Sequence, residues 1–341
     1  MSKSDRTVMN GSRALWRVRG NDMTTAKIST VACPKCGRLN GLHRTTCLFC
    51  GQPLLVPGQE SQVLPSLRDA ADIEPGYNVI FLPSLPPTAE AIEEVATVGR
   101  LTPEQAAHLL ASPSPVPIAR AATSHDAVLL TQRLAQSGLR TLILSDTQLS
   151  PLHPPRRARA LVAVGEYLEV WSSEPATPLR LPWKDISLLV FGMLRFRQVL
   201  ARESTATRRT KAEREEIYTN DEEVPVIDLF GPTLATHIRI RADGFDYSCL
   251  GPRRGLLAAE NHARLGDWLL ASVSAPTVVN RDFRTVARAI EPVWGLTKTS
   301  SRQPFKRAGI GKVSAEMTEY VDNDRQFTCF ARSLFFIARP A

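Results

Sequence analysis

Two CxxC pairs, Cys33-Pro-Lys-Cys36 and Cys47-Leu-Phe-Cys50, stand ten residues apart and hold four of the six cysteines in a chain of 341 residues. A CxxC knuckle turns both sulfurs toward one point, and two knuckles close a tetrahedral four-thiolate zinc site. The spacing predicts one structural Zn2+ held by Cys33, Cys36, Cys47 and Cys50, with no coordination position left open for chemistry. Gly37 and Gly51 each follow the second cysteine of a knuckle, where a positive φ lets the chain fold back and aim N–H groups at the sulfurs. His43 lies between the knuckles, but four thiolates already fill the site. Only Cys249 and Cys329 are left over, which fits a reducing compartment and a cytoplasmic location.

The segment from Cys33 to Leu54, Asn40 included, resembles the small bacterial zinc ribbons of pattern CPxCGxxN…CxxCGxPL. The spacing also resembles the Ran-binding-protein type of zinc finger, some of which bind single-stranded RNA or ubiquitin. Val31 and Ala32 stand where that family carries a tryptophan.

Charge is uneven along the chain. The overall balance is +8, and residues 1–58 carry nine basic and two acidic side chains, a net +7. Residues 276–341 carry eleven basic and six acidic groups, a net +5. Positive ends suit nucleic acid, an acidic protein surface or anionic lipid, and a solvated tail is the plainer explanation. No apolar run reaches the roughly 18 residues of a membrane span. Met1 to Asp22 lacks the apolar centre of a secretory signal, so residues 1–30 read as a basic disordered tail, and Met23 is an alternative start.

After a ribbon at 31–56 and a polar linker at 57–75, periodicity sharpens. Tyr77 to Leu82 is β-rich, Thr88 caps a helix, and Thr102-Pro103-Glu104-Gln105 is a capping box with proline at the first helical position. Val116–Ala119 reads as a strand, Ser124 caps a third helix closed by Gly138, and Thr141–Leu144 returns as a strand. This β-α-α-β-α-β order over 76–146 resembles the C-terminal domain of the bacterial ribosomal stalk protein, a fold shared with the adaptor of the Clp protease. The resemblance is carried by Val79-Ile80, Gly99-Arg-Leu101, Glu104–Leu110 and Ile118–Ser124. It implies an interaction module. Glu93, Glu94 and Glu104 stand on helices where the stalk family presents basic residues to translation GTPases.

Residues 156–275 alternate strand-like runs with turns: 160–164 and 167–172 as a hairpin, then 187–190 with 194–200, 224–230, 237–241 and 245–250, closed by a helix at 256–273. Residues 201–223 hold dense mixed charge and read as a mobile loop or a protruding hairpin tip. The strand–turn–strand pattern and Leu181-Pro-Trp-Lys-Asp-Ile186 resemble a bacterial pleckstrin-homology-like domain, in which Arg195 and Arg197, flanking Phe196, would share one face. Residues 276–341 read as a basic helical extension: a helix over 282–294, an irregular basic stretch over 298–312, and an amphipathic helix from Asn323 with Phe327, Phe330, Ala331, Leu334, Ile337 and Ala338 on its stripe. The expected fold class is therefore multidomain α+β: a zinc ribbon, a β-α-α-β-α-β module, and a mainly antiparallel β domain closed by a helix.

No catalytic constellation emerges. Ser124-His125-Asp126 are sequence neighbours that cannot converge as nucleophile, base and orienter, and Gly309-Ile-Gly311-Lys312 lacks the earlier glycine and following hydroxyl of a phosphate loop. There is no GxSxG elbow, GxGxxG turn or HExxH helix. The reading is a non-catalytic zinc-binding adaptor or scaffold whose partners are proteins. Nucleic-acid binding through the basic arm and ribbon is the alternative, and a place in a larger ribosomal or membrane-associated assembly ranks third.

Overall fold

The computed structural model describes residues 30–33, 35–41, 44, 46–52, 54, 65–70, 74–84, 86–149, 154–173, 177–205, 213–273, 277–309 and 312–339. Of the tail expected over 1–30, all but Thr30, which opens a strand, lies outside these, as do His43 and most of the linker. The chain divides into two compact units, Met1–Gln59 and Glu60–Ala341. In the first, strands β1 (Thr30–Ala32) and β2 (Leu39–Gly41) form a short antiparallel ladder beside the cysteines.

The second unit is mixed α/β. It begins with β3 (Tyr77–Phe81), α1 (Ala89–Gly99), α2 (Pro103–Leu110), β4 (Val116–Ala121), α3 (Ser124–Gln136) and β5 (Thr141–Ser145). The element order is the predicted one, and β3 sits between β4 and β5, antiparallel to both. The capping box forms as its residue types dictate: Gln105 N–H donates to Thr102 Oγ1, and Thr102 N–H donates to Gln105 Oε1. Thr88 caps α1 as expected, whereas α3 is capped by Thr123 rather than Ser124. Residues 66–68, placed in the linker by sequence, instead bond to β4, through Arg68 N–H to Arg120 O and Ala122 N–H to Ser66 O.

A one-turn helix α4 (Asp146–Leu149) leads to the large sheet. Its strands are β6 (Arg156–Val164), β7 (Tyr167–Ser172), β8 (Leu179–Pro182), β9 (Leu188–Thr205), β10 (Glu213–Phe230) and β11 (His237–Arg241). The helix α5 (Ala258–Ser272) follows, then β12 (Val278–Asn280), the short α6 (Phe283–Val286), β13 (Thr297–Arg302), β14 (Lys306–Gly309), β15 (Lys312–Asp322) and α7 (Asp324–Ile337). The strand order is β13-β15-β9-β10-β11-β6-β7-β8, with β12 on β9 and β14 on β15. Pairing is mainly antiparallel, with β11–β6 and β12–β9 parallel.

Strands β9 and β10 are buried on both faces near their base. Leu188, Val190, Val224, Val226 and Phe230 pack into one apolar cluster with α1–α3, α6 and α7. Leu189, Ile227 and Leu229 pack into a second cluster with β6–β8 and α5. Two-sided burial explains why Leu188-Leu-Val190 and Val226-Ile227 lack the alternation of a half-exposed strand. The shared core also explains why residues 60–341 form one compact unit instead of the separate modules expected over 76–146, 156–275 and 276–341.

Several local expectations change. Of the two readings of the charged stretch 201–223, the protruding hairpin holds and the loop does not: strand pairing runs as far as Thr205 and again from Glu213, as the arms of one long hairpin. The C-terminal region is not a helical extension: β13, β14 and β15 continue the main sheet, and the basic irregular stretch is strand. The helix expected over 282–294 ends after Val286 and continues as turns that bury Ile290, Val293 and Trp294. Residues 247–253 form 3-10 turns in place of a strand. The helix from Asn323 is present with its apolar stripe in the core, and its polar positions are covered as well, since Gln326 through Phe335 are all buried. Its polar groups are bonded internally: Gln326 donates to Trp294 O, Thr328 to Asp324 O and Ser333 to Phe330 O. Those bonds permit a helix with mixed faces to lie in the centre of the body.

Candidate metal centre

The two knuckles are near copies of one turn. Gly37 N–H donates to Cys33 O at 2.8 Å and Gly51 N–H to Cys47 O at 3.0 Å, and each glycine sits in the left-handed region, at φ 69° and 68°. Cys33 N–H returns to Arg38 O at 3.0 Å and Cys47 N–H to Gln52 O at 2.7 Å. These turns bring Cys33, Cys36, Cys47 and Cys50 together with all four sulfurs within 4.8 Å of one another and none in a disulfide. Cys33–Cys50 and Cys36–Cys47 are each 3.6 Å apart. Four tetrahedral ligands at about 2.3 Å from a metal stand about 3.8 Å from one another, so the set can hold one metal ion.

Asn40, buried behind the site, holds the second knuckle. Its side-chain N–H donates to Cys47 Sγ at 3.4 Å and to Arg38 O at 2.8 Å, while its Oδ1 accepts from Leu48 N–H at 3.0 Å. Burial raises the Cys47 thiol, but the N–H groups of Phe49 and Cys50 and the Asn40 amide outweigh it and bring its pKa down to about 6. Cys33 is also lowered, by N–H groups of Cys36 and Lys35 acting against burial. The Gln52 N–H lowers Cys50, yet burial and the neighbouring thiols push it up to about 12. Sulfurs this close ionise together only when a cation compensates them.

Around the cysteines, Leu39, Leu48 and Phe49 are exposed, and the Arg38 guanidinium lies 4.6 Å from the Phe49 ring centroid. Among the described residues of this unit, the buried apolar set is Cys33, Cys47 and Leu54.

The body holds two buried polar networks that sequence reasoning missed. On β10 and β11, the Asp228 carboxylate accepts from His237 Nε2 at 2.7 Å and from Arg239 at 2.7 and 2.6 Å. Arg239 also reaches Asp324 and Thr328 of α7. Burial disfavours the Asp228 carboxylate, but Arg239 and His237 prevail and hold it down at about 2. The signal was polar positions inside apolar strands, Asp228 in Val-Ile-Asp-Leu-Phe and both His237 and Arg239 in His-Ile-Arg-Ile. The second network joins Asn78, Arg120 and Asp146 to Trp294, whose indole N–H donates to Asn78 Oδ1 at 2.8 Å. Asp228, His237, Arg239, Asn78 and Arg120 are each at most 4 % exposed, whereas Asp324 and Asp146 open the two networks toward solvent.

The other sequence candidates do not converge. Ser124 and His125 lie on the first turn of α3, where Asp126 accepts from the Thr123 hydroxyl at 2.7 Å. Arg195 and Arg197 share a face as expected, but Arg195 pairs with Glu223 at 3.0 Å and Arg197 with Asp221 at 3.8 Å. They line a 610 Å³ groove together with Glu222, Arg288 and Glu291. Cys249 is half-buried on a 3-10 turn, and burial pushes its thiol up to about 11. Among the described residues, no helix is long and apolar enough to cross a membrane.

No family model matches the chain, and neither curated proteins nor solved structures give a match.

Proposed function

We propose that this chain is a cytoplasmic, non-catalytic adaptor whose N-terminal ribbon binds one structural Zn2+ and docks a protein partner. The carrying observation is the ribbon itself: four sulfurs gathered by two knuckles, with Leu39, Leu48 and Phe49 exposed beside them. Four soft thiolates in tetrahedral reach favour Zn2+, and a complete four-ligand set leaves no position for water or substrate. The cysteine knuckles, whose described buried apolar neighbours are few, draw their fold from the metal, and the fold then holds three apolar side chains out toward a partner. The body supplies a rigid carrier, and its resemblance in element order to interaction modules supports the same reading.

Co-purification tests the proposal. A reproducible partner should be retained by the wild-type chain and lost from Leu48→Ser/Phe49→Ser, which leaves the cysteines intact. A wild-type chain that reproducibly retains no partner under mild salt overturns the adaptor role.

A second reading, nucleic-acid binding, is favoured by the +7 of residues 1–58 and by the Arg38–Phe49 stack, a platform on which a base can be held. It requires binding that weakens steeply with salt, and failure of labelled RNA and DNA to bind at low salt removes it.

A further inference from the structure

The β9–β10 hairpin outgrows the body. Strand β11 covers β10 only from Val226 to Phe230, so the half of β10 before that segment is a free sheet edge among the described residues. Every residue from Glu215 to Glu223 is exposed. On the far side of the same sheet, β13 pairs with β15 alone, and every residue from Lys298 to Lys306 is exposed. The two edges carry opposite single signs. Residues 215–223 hold Glu215, Glu216, Asp221, Glu222 and Glu223 and no basic residue, whereas 298–306 hold Lys298, Arg302 and Lys306 and no acidic one.

The register places these charges on common rows. Lys298 pairs with Val321, Val321 with Arg197, and Arg197 with Asp221. Arg302 pairs with Met317, Met317 with Ala201, and Ala201 with Glu216, just past the bulge at Ile217. The row through Lys306 runs by Ser314 and Ser204 to Glu213. Lys298 and Arg302 of one edge thus each share a row with an acidic position of the other, while the Lys306 row ends beyond the acidic stretch, beside Arg214.

We propose that copies of this chain join edge to edge, with the acidic β10 edge of one copy pairing antiparallel with the basic β13 edge of the next. Within one copy β10 runs antiparallel to β13, so a second copy in the same orientation continues the alternation without reversing a strand. Its Lys298 then faces Asp221, and its Arg302 faces the bulged end at Glu216. Tyr218–Glu223 is an uninterrupted run of six residues, the length of β13. Like edges cannot pair, because acidic would meet acidic and basic would meet basic. Arg302 already donates to Glu203 and Asp221 already neighbours Arg197, but these groups are half-exposed, and a guanidinium keeps donors for a second carboxylate. The contact is head-to-tail, and four strands twisting roughly 20–25° each turn successive copies by roughly 80–100°, which builds an open helical assembly. No ribbon residue takes part, so the inference stands apart from the adaptor reading.

Sedimentation velocity over a concentration series tests it. The wild-type mass should rise with concentration at low salt and fall back as salt screens the edges. Glu216→Lys/Asp221→Lys sets basic against basic on the two facing rows, and Lys298→Glu/Arg302→Glu sets acidic against acidic there. Each variant alone should associate roughly tenfold or more weakly, and an equal mixture should restore association. If a variant does not melt cooperatively, the salt response of the wild type decides. A wild type that keeps single-chain mass at every concentration overturns the proposal, as does association indifferent to salt and to both reversals, or a mixture of folded variants that stays apart.

Discussion

Arg332, in the middle of α7, donates its Nε hydrogen to Nδ1 of His237 on β11 across 3.2 Å. The ring's proton is therefore on Nε2, where it is donated to Asp228 at 2.7 Å. A neutral imidazole thus links a carboxylate to a guanidinium and ties the central helix to the sheet. Burial and the cations Arg239 and Arg332 outweigh Asp228 and keep the His237 pKa below its ordinary value.

That arrangement predicts acid sensitivity well above the carboxylate range. Burial also lowers His262, to about 4, against about 6.5 for a free imidazole. Below about pH 6.5 the unfolded chain binds protons at both rings that the folded chain refuses, so stability is complete above that pH and falls as pH drops toward about 4. His262 alone contributes about 3 kcal/mol to the loss. Asp228, held at about 2, stays ionised through this window. Urea midpoints followed by tryptophan fluorescence should fall over this range, and His262→Gln should flatten the slope. Midpoints that do not move between neutral pH and about 5 would falsify the neutral-histidine assignment.

Arg239→Met should leave the fully buried Asp228 carboxylate without its main counter-charge and cost about 3–5 kcal/mol. Adding Asp228→Asn removes the orphaned charge and should recover part of that loss, giving a non-additive double-mutant cycle. Additive losses in denaturant titrations would show that the two residues act independently.

The contrast between this network and the ribbon shows what a sequence can carry. The metal centre was legible because its four ligands are local and their spacing is the geometry. The caps at Thr88 and Thr102 were legible for the same reason. The Asp228–His237–Arg239 set comes from adjacent strands, but its completion by Asp324, Thr328 and Arg332 depends on α7, nearly a hundred residues later in the chain, and no local pattern encodes that approach. The stripe on α7 misled in a specific way. Its polar face is buried with internal partners, so periodicity reported where the apolar groups lie but not where water lies. Loop and protruding hairpin could not be told apart over the charged arms because the β10 arm, exposed on both faces, has no apolar alternation to announce a strand.

Gly192, on β9 where Phe283 and Phe327 cross it, has no room for a methyl group. A Cβ there would overlap the Phe327 ring, with Cδ2 at 2.8 Å, and meet Phe283 Cδ1 at 3.1 Å. Those rings pack edge to face with centroids 4.8 Å apart in the main core, so neither moves freely. Gly192→Ala should destabilise the body by about 1–3 kcal/mol, seen as a lowered melting temperature. Gly192→Ala melting with the wild type would mean that the core yields at this contact.

At the ribbon, Cys36→Ser should abolish stoichiometric metal, and full occupancy measured by elemental analysis would refute the four-thiolate assignment. Asn40→Ala is the sharper test of how the site is built. It leaves every sulfur in place but removes the amide donor to Cys47 and the acceptor for Leu48 N–H. Loss of such an outer partner should weaken metal binding about 10–100-fold in competition with a chromogenic chelator. Strong chelation should unfold the ribbon, whose buried apolar set among the described residues is three, while the melting of residues 60–341 stays where it was, because no described ribbon residue belongs to either core cluster of the body. A body that loses its transition with the metal would show that the two units are energetically one.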